Sequence, residues 1–256
     1  MSAVRVAIAG AGGRMGGALL DAARATDGVA LGAALDVKAG TRGDLAIGTD
    51  VAAALRDCDV LVDFTRPEGT LAHVAACRKA KRGIVIGTTG FTPAQVEQIR
   101  EASRDIPVVL APNMSVGVNV MLKLVELASR ALGPDYDVDV FEMHHKLKVD
   151  APSGTALKLG EVAARARDTS LERDGVFTRH GQTGERKPGT IGFAVARGGD
   201  VVGDHTVYFA GTGERLEITH RSSSRATYAQ GAMRAAKFVA SRAAGLYGME
   251  EVLGLG

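Results

Sequence analysis

The residues of this chain best suited to acid–base chemistry lie in one stretch, residues 142–156, which reads EMHHKLKVDAPSGTA. Lys148 and the histidines before it supply positive charge, and the segment from Ser153 through Gly154 to Thr155 has the composition of a helix start. Free backbone N–H groups at a helix start donate hydrogen bonds to anions. The stretch therefore predicts a binding site for a molecule that carries one or more carboxylates.

The two adjacent histidines of this stretch would point to opposite faces of a strand if the strand continues through them. His144 and His145 would then do different jobs, one binding and the other moving protons. Imidazole changes charge near neutral pH, and a lysine beside other cations has a stabilised neutral form, so both residue types can carry protons. A solvated basic loop without a ligand would also explain this composition.

Metal binding is disfavoured for the histidine pair because no cysteine or carboxylate stands at ligand spacing from it, and no metal is predicted. The other histidines are scattered along the chain and are interpreted as structural or exposed. They are His73, His180, His205 and His220.

A second group of residues with recognisable chemistry follows the first predicted strand, residues 4–9. Gly10, Gly13 and Gly16 form a GxxGxxG pattern that opens a predicted helix. Positions without side chains let a pyrophosphate approach the backbone, and the N–H groups of the helix start supply donors. The pattern departs from GxGxxG at Met15, and with 33 glycines in the chain an ordinary tight turn would also produce it.

An acidic residue supports the nucleotide interpretation of the glycine turn. Asp36 ends the second predicted strand, 20 residues after Gly16. A carboxylate at this place accepts hydrogen bonds from the hydroxyls of an adenosine ribose. The turn and the carboxylate together predict a dinucleotide site.

Two further loops, residues 87–89 and 111–114, follow predicted strands of the same sheet. Open parallel sheets bind ligands at the carboxyl ends of their strands, so both loops are candidates to face the nicotinamide half of the dinucleotide. Plain connections between strand and helix would account for either loop taken alone.

Strands and helices alternate along the first half of the chain, which predicts a parallel sheet covered by helices. One helix has clear start signals, since Thr92 can cap it, Pro93 suits its first turn and Gln95 completes a capping box. The predicted strands are residues 4–9, 29–35, 60–64, 84–86 and 108–110. The predicted helices cover residues 14–25, 51–55 and 71–81, one follows Thr92, and another runs from about 116 until glycine and proline stop it at 133–134.

From residue 137 onward strands follow one another with little helix between them, which indicates an antiparallel sheet. The predicted strands are residues 138–143, 190–197, 204–209 and 216–221, with one helix at 155–166, a loop at 174–188 and a last helix at 228–243. The fold class predicted is α/β: a Rossmann-type parallel-sheet dinucleotide-binding domain with a second α+β domain built on a mixed or antiparallel sheet. Residues 1–115 and 225–256 would form the first domain, and residues 116–224 would bind substrate and form oligomers.

Composition narrows the class of partner. The formal charge is +2, from 31 basic and 29 acidic residues, which gives no reason to expect nucleic acid. No apolar run approaches the ~20 residues that span a membrane, and the first residues lack the pattern of a secretory leader. Cys58 and Cys77 are too few for a disulfide framework, which fits a reducing compartment. We therefore expect a cytoplasmic protein.

Several segments together resemble the dihydrodipicolinate reductase family of bacterial lysine and diaminopimelate biosynthesis. The stretch EMHHKLKVDAPSGTA is highly specific to this resemblance, whereas the glycine turn alone is not. The other segments that carry it are residues 6–16, 87–91, 113–119 and 203–225.

The resemblance implies reduction of a cyclic, unsaturated imine dicarboxylate to tetrahydrodipicolinate, with loss of water from the 4-hydroxy substrate. It implies that His144 and Lys148 handle protons. Hydride delivered to a carbon conjugated with C=N pushes electron density toward nitrogen, so a cationic donor lowers the barrier, and Lys148 is the first candidate. The residues implied in substrate binding are His145, Lys148, Ser153, Gly154 and Thr155. A homotetramer built on the sheet of the second domain is also implied.

The cofactor implied is NADPH or NADH. Family members often carry an arginine directly after the acidic residue, whereas Val37 follows Asp36 here. Lys38 can substitute for that arginine toward a 2′-phosphate, so we predict use of both cofactors. The residues implied in cofactor binding are Gly10, Ala11, Gly12, Gly13, Arg14, Met15, Asp36, Lys38, Gly87, Thr88, Thr89, Ala111, Pro112, Asn113 and Met114.

Two other functions are open to a chain of this plan. A different dehydrogenase acting on a small carboxylate, sugar or semialdehyde is one, but a semialdehyde enzyme that acylates a cysteine needs a thiol at the rim of the sheet. Cys58 precedes a predicted strand and Cys77 lies inside a predicted helix, so neither suits that role. The other is a non-catalytic dinucleotide sensor, which has no evident need for the cationic cluster.

Overall fold

The computed structural model describes residues 3–255, which form two compact units. The first unit contains residues up to Val116 together with those from Arg225 onward. The second unit is Gly117–Ser224. Each has its own sheet and hydrophobic core.

The strands are named in chain order. They are β1 (Val4–Ala9), β2 (Val29–Leu35), β3 (Gly40–Arg42), β4 (Leu45–Ile47), β5 (Val60–Asp63), β6 (Gly83–Ile86), β7 (Pro107–Leu110), β8 (Asp137–His144), β9 (Gly175–Val176), β10 (Ile191–Arg197), β11 (Gly203–Ala210), β12 (Arg215–Ser222) and β13 (Gly245–Tyr247).

The helices are named in the same way. They are α1 (Arg14–Ala25), α2 (Val51–Asp57), α3 (Pro67–Ala80), α4 (Pro93–Ala102), α5 (Val116–Leu132), α6 (Gly154–Arg165), α7 (Leu171–Asp174), α8 (Ala226–Val239) and α9 (Met249–Leu253), and one 3₁₀ turn covers Gly133–Asp135.

The sheet of the first unit is parallel throughout, in the order β13-β7-β6-β5-β1-β2. Side chains of a strand alternate between the two faces of its sheet. In β1, Val6 and Ile8 belong to the core that α1 and α8 complete, whereas Ala7 and Ala9 belong to the core that α2, α3 and α4 complete. A sheet covered on both faces needs strands that are apolar throughout, and this explains the unbroken apolar runs in the sequence.

The structure confirms the predicted alternation and most of its bounds. The predicted helix start at Thr92 is present in full, because its hydroxyl accepts from the Gln95 N–H at 3.3 Å and the Gln95 side chain accepts from the Thr92 N–H at 2.9 Å. Helix α8, the last of the predicted helices, packs in the core of the first unit.

Four details differ from the predictions. Helix α3 begins at Pro67, four residues before the predicted start, because proline at N1 needs no hydrogen-bond acceptor. Helix α8 ends at Val239 rather than 243. The predicted loop 174–188 begins with the end of α7 and with β9, which pairs with β10. The short hairpin of β3 and β4, strand β13 and helix α9 were not predicted, because three to five residues give too little periodicity.

The second unit has a mixed sheet in the order β12-β11-β8-β10-β9. Strand β8 pairs antiparallel with β11 and parallel with β10, so the sheet is mixed, which is one of the two arrangements predicted from the sequence. The parallel pair requires a crossover between its strands, and α6 lies in that connection. Leu159 and Ala163 of α6 share the core with Val140 of β8 and Phe193 of β10.

Candidate active site

The glycine turn after β1 has the close backbone packing that a pyrophosphate cradle requires. Gly10 has φ of +74°, a conformation that favours glycine. A Cβ on Gly16 would lie 2.1 Å from the carbonyl oxygen of Gly10, so no side chain fits there. Helix α1 has no acidic residue in its first turn, and its N-cap residue Gly13 makes no side-chain cap. The helix start thus leaves its positive end open to an anion.

Asp36 lies beside this turn, as the sequence predicts. Its Oδ2 accepts a hydrogen bond from the Gly12 N–H at 2.9 Å, and its Oδ1 accepts one from the Val37 N–H at 2.7 Å. Each oxygen keeps a second lone pair for a ribose hydroxyl. Lys38 is exposed.

An arginine that the sequence analysis missed also touches the glycine turn. Arg42, at the end of β3, donates from Nη1 to the carbonyl oxygens of Ala11 at 2.6 Å and Gly13 at 3.1 Å. A Cβ on Gly17 would lie 2.7 Å from Arg42 Nη2, so that glycine makes room for the guanidinium. The sequence signal was weak, because only the three-residue strands around Gly43 place Arg42 here.

A cleft of about 670 Å³ in the first unit gathers most of the predicted cofactor residues. It joins the glycine turn to the loops after β5, β6 and β7 and to the start of α8. Three of its lining residues are arginines, and none of these described lining residues is acidic, which suits a phosphate-bearing ligand. Its lining comprises Gly10, Gly13, Arg14, Met15, Gly16, Phe64, Arg66, Gly87, Pro112, Asn113, Met114, Arg225 and Tyr228.

The remaining predicted cofactor residues are not among those that line this cleft. Ala111 is buried, and Thr89 is exposed. Thr88 is buried, and its hydroxyl accepts from Thr70 Oγ1 at 2.9 Å and donates to the buried Asp63 at 3.4 Å. His73 Nδ1 lies 2.7 Å from the other oxygen of Asp63, so this histidine is structural, as expected. The network anchors the loop 87–89 through the Thr88 side chain, and the Gly87 N–H donates to the Asp63 carbonyl oxygen at 2.9 Å.

In the second unit, His144 ends β8 and is buried against Glu142, which the sequence analysis did not single out. The two side chains lie on one face of the strand, and His144 Nδ1 is 2.6 Å from Glu142 Oε2. Arg197 of β10 donates to both carboxylate oxygens at 2.8 and 2.9 Å. Burial alone would raise the pKa of Glu142, but hydrogen bonds from Arg197, His144 and the Ser153 N–H lower it below its usual value.

His205 completes this cluster, although the sequence analysis treated it as structural or exposed. It is buried, its ring meets that of His144 edge to face at 5.1 Å, and its Nε2 lies 3.0 Å from Ser153 Oγ. Burial, assisted by the charge of His144, lowers the pKa of His205 to about 4. His205 is therefore neutral at pH 7. Only the pairing of β11 with β8, with His205 opposite Glu142, brings it here.

The predicted helix start is present at α6. Ser153 is the N-cap, and its hydroxyl accepts from the Ala156 N–H at 3.1 Å. Gly154 and Thr155 open the first turn, which contains no acidic residue, and Gly154 is exposed. This end of the helix has the properties of a carboxylate site.

His145 and Lys148 lie in the loop between β8 and α6. Because β8 ends at His144, the alternation of side chains along a strand does not decide where His145 points. Lys148 Nζ donates to both carboxylate oxygens of Asp150 at 2.8 and 2.9 Å, and 21% of its side chain is exposed. Its hydrogen bonds lower the pKa of Asp150.

Across residues 3–255 no group of three or more histidine, cysteine or acidic side chains is arranged to hold a metal ion. Within the same residues no helix has both the length and the apolarity to span a bilayer.

A parallel sheet with a glycine turn after its first strand and an acidic residue after its second is the arrangement of a Rossmann-type dinucleotide-binding protein. Family models described as dihydrodipicolinate reductase, N-terminus and C-terminus, match residues 4–114 and 117–253. The chain therefore belongs to the dihydrodipicolinate reductase family, and the resemblance predicted from its sequence is confirmed.

Relatives and solved structures agree with this assignment. The 4-hydroxy-tetrahydrodipicolinate reductase of Dechloromonas aromatica (strain RCB) is 55% identical, with 100% of both chains covered. That of Bordetella pertussis is 56% identical, over 98% of this chain and 97% of the relative. The structure of a dipicolinate-bound dihydrodipicolinate reductase from Paenisporosarcina sp. TG-14 matches with a TM-score of 0.79 and 26% identity, over 97% of this chain and 98% of the other. The predicted fold class is confirmed.

Proposed function

We propose that this protein reduces 4-hydroxy-tetrahydrodipicolinate, through dihydrodipicolinate, to tetrahydrodipicolinate in lysine and diaminopimelate biosynthesis. The observation that carries the proposal is the arrangement in the second unit, where a buried imidazole–carboxylate pair adjoins the start of α6. His144 is bound to Glu142, and Glu142 accepts from the N–H of the N-cap residue Ser153. A proton-handling group and a carboxylate site are thus tied together, as a cyclic imine dicarboxylate requires.

The first unit is proposed to hold the nicotinamide cofactor. Backbone N–H groups from Gly10 to Met15 would face the pyrophosphate, and Asp36 would accept from the adenosine ribose. Loops 87–89 and 111–114 would face the nicotinamide half. When bound, the cofactor supplies a hydride.

The second unit is proposed to hold the substrate and to supply the proton. His145, Lys148 and the start of α6, including Gly154 and Thr155, would bind the two carboxylates. As electron density moves to the ring nitrogen, Lys148 would donate a proton to it, and His144 would take part in proton transfer. Asp150 holds the Lys148 ammonium in place until the substrate arrives.

Use of both NADPH and NADH is part of the proposal. Asp36 favours the free ribose of NADH, because a second negative charge at the 2′ position would be repelled. Arg42 contacts the turn directly, and the exposed Lys38 follows Asp36 by two residues in the chain, so both cations are candidates to face a 2′-phosphate. These cations would offset the repulsion of a 2′-phosphate.

We also propose a cytoplasmic homotetramer built on the sheet of the second unit. In support, Leu216 on the edge strand β12 and Val195 on β10 are large apolar side chains that remain exposed in the single chain. Light scattering on the purified protein tests the assembly.

The proposed reaction is tested by following loss of nicotinamide absorbance after adding freshly generated cyclic substrate to the purified protein. Oxidation of NADPH and NADH that depends on substrate is expected. Tight dinucleotide binding without oxidation would favour the sensor function. The control is the same mixture without substrate, in which the nicotinamide absorbance should stay constant.

A further inference from the structure

We infer that Glu142 is a positioning residue. Its carboxylate holds the proton-handling imidazole of His144 and the proposed anion-binding start of α6 in one arrangement, and Arg197 holds the carboxylate in place. This inference rests on the proposed function, because it assigns to Glu142 the orientation of groups that would serve that reaction.

The contacts of the carboxylate show why it can do this. Its Oε2 lies 2.6 Å from His144 Nδ1 and 2.8 Å from Arg197 Nη1, and its Oε1 lies 2.9 Å from both Arg197 Nη2 and the Ser153 nitrogen. Each oxygen therefore has two partners, which uses the accepting positions of both. The side chain is 1% exposed, so water does not compete for these positions. One carboxylate joins β8, β10 and the start of α6.

Arg197 extends the arrangement to the loop that carries the proposed proton donor. Its Nη2 also donates to the backbone oxygen of Asp150 at 2.6 Å, and the side chain of Asp150 holds Lys148. The carboxylate, the guanidinium and this loop thus share direct contacts. A change at Glu142 is expected to disturb both proton-handling side chains and the carboxylate site.

The geometry also identifies the imidazole atom available for chemistry. Because Nδ1 of His144 is engaged by Glu142, Nε2 is the atom left for a substrate. A Cβ on Gly203 would lie 2.9 Å from Nε2, closer than real contacts allow. The backbone of Gly203 is outside the left-handed region, so this glycine serves to leave space for the imidazole.

The charged and titratable groups that contact His144 or its partner Glu142 come from three strands. They are Glu142 on β8, Arg197 on β10 and His205 on β11. Glu142 is the acidic side chain in direct contact with the imidazole. Its replacement by glutamine removes the negative charge while keeping the shape.

The test compares Glu142→Gln with wild type and with Glu161→Gln, an exposed change on α6 at a residue that pairs with Lys158. Glu142→Gln is expected to lower kcat at least about 10-fold, because the imidazole of His144 and the start of α6 lose the carboxylate that orients them. KM for the cyclic substrate should rise, and dinucleotide affinity should stay unchanged. Glu161→Gln should match wild type.

A folded Glu142→Gln protein with wild-type kcat and wild-type KM for the cyclic substrate would overturn the inference. If wild type itself does not turn over the substrate, the proposed function fails instead, so the two failures are distinguishable.

A measurement on the unaltered protein guards against a variant that does not fold. Histidine-labelled wild-type protein should show a strongly downfield Nδ1 proton on His144, assigned by its loss in His144→Gln. An Nδ1 of His144 that carries no proton at neutral pH would contradict the inference. Gly203→Ala adds a second variant, expected to lower kcat with dinucleotide affinity retained, and normal kcat there would contradict the role given to Nε2.

Discussion

The carboxylate of Asp36 accepts a hydrogen bond from the backbone N–H of Gly12 at 2.9 Å, so the residue after β2 supports the glycine turn after β1. A Cβ on Gly12 would lie 2.9 Å from the same carboxylate oxygen, which explains a glycine at this place. The turn and the proposed ribose acceptor are therefore one physical unit.

We expect Asp36→Asn to weaken NADH binding about 10-fold, since a hydrogen bond to a charged acceptor contributes about 1.5–3 kcal/mol. NADPH binding should fall less, because the same change removes a charge that repels the 2′-phosphate. Fluorescence titration with each dinucleotide measures both. Asp21→Asn, at an exposed position of α1, is the matched control, and an equal loss for both dinucleotides would contradict the role of Asp36.

Gly16→Ala should disrupt the glycine turn. Its Cβ would lie 2.1 Å from the Gly10 oxygen, so α1 and the turn must separate. We expect a loss of about 1–3 kcal/mol in the free energy of unfolding and a large loss of dinucleotide affinity. Gly40→Ala is the control, because a Cβ there meets nothing within 4 Å. Equal thermal stability and affinity in the two variants would show that the close approach has no consequence.

Lys148→Ala is expected to reduce turnover about 100-fold or more while dinucleotide affinity stays nearly intact. The reason is loss of the proposed proton donor, which lies outside the unit that holds the dinucleotide site. Steady-state rates and dinucleotide titration measure the two effects. Lys158→Ala, which removes an exposed lysine of α6, should leave both unchanged. An unaltered rate in Lys148→Ala would exclude it as the donor.

Acidification should destabilise the second unit through His205. Its pKa is about 4 in the folded chain against 6.5 as the ordinary value, so the unfolded chain binds more protons between these pH values. The contribution of the neutral His205 to the free energy of unfolding is fully present above pH 6.5. It is lost as the pH drops toward 4, by up to about 3 kcal/mol. Denaturant unfolding from pH 7 to 4.5 measures this, and His205→Gln should show a shallower fall.

Glu142 does not contribute to the fall measured above pH 4.5. Its pKa is lowered, so its carboxylate becomes protonated only at lower pH. His220, whose pKa is also lowered by burial, contributes in the same direction and stays present in the variant. His180→Gln, at an exposed position, is the control. If His205→Gln kept the full wild-type slope, the buried neutral His205 would not be its source.

Local signals in the sequence determined the elements and the helix starts that are proposed to bind anions. The turn at Gly10, the capping box at Thr92 and the helix start at Ser153 each depend on residues within a few positions of one another, so their physics can be read along the chain. Two apolar faces on each strand likewise indicated a parallel sheet before any contact was known. Glu142 could also have been identified from the sequence. It lies two residues before His144, and side chains two residues apart on a strand lie on the same face.

Only the tertiary structure decided which distant side chains complete the two sites. Arg197 meets Glu142 because β10 pairs with β8 in parallel, and His205 lies beside His144 because β11 pairs with β8 from the other side. Arg42 reaches the glycine turn from a hairpin too short to predict. Strand register is set by the packing of the whole sheet. Glu142 and Arg197 lie 55 residues apart in the chain, so the sequence alone does not show that this arginine pairs with this buried carboxylate.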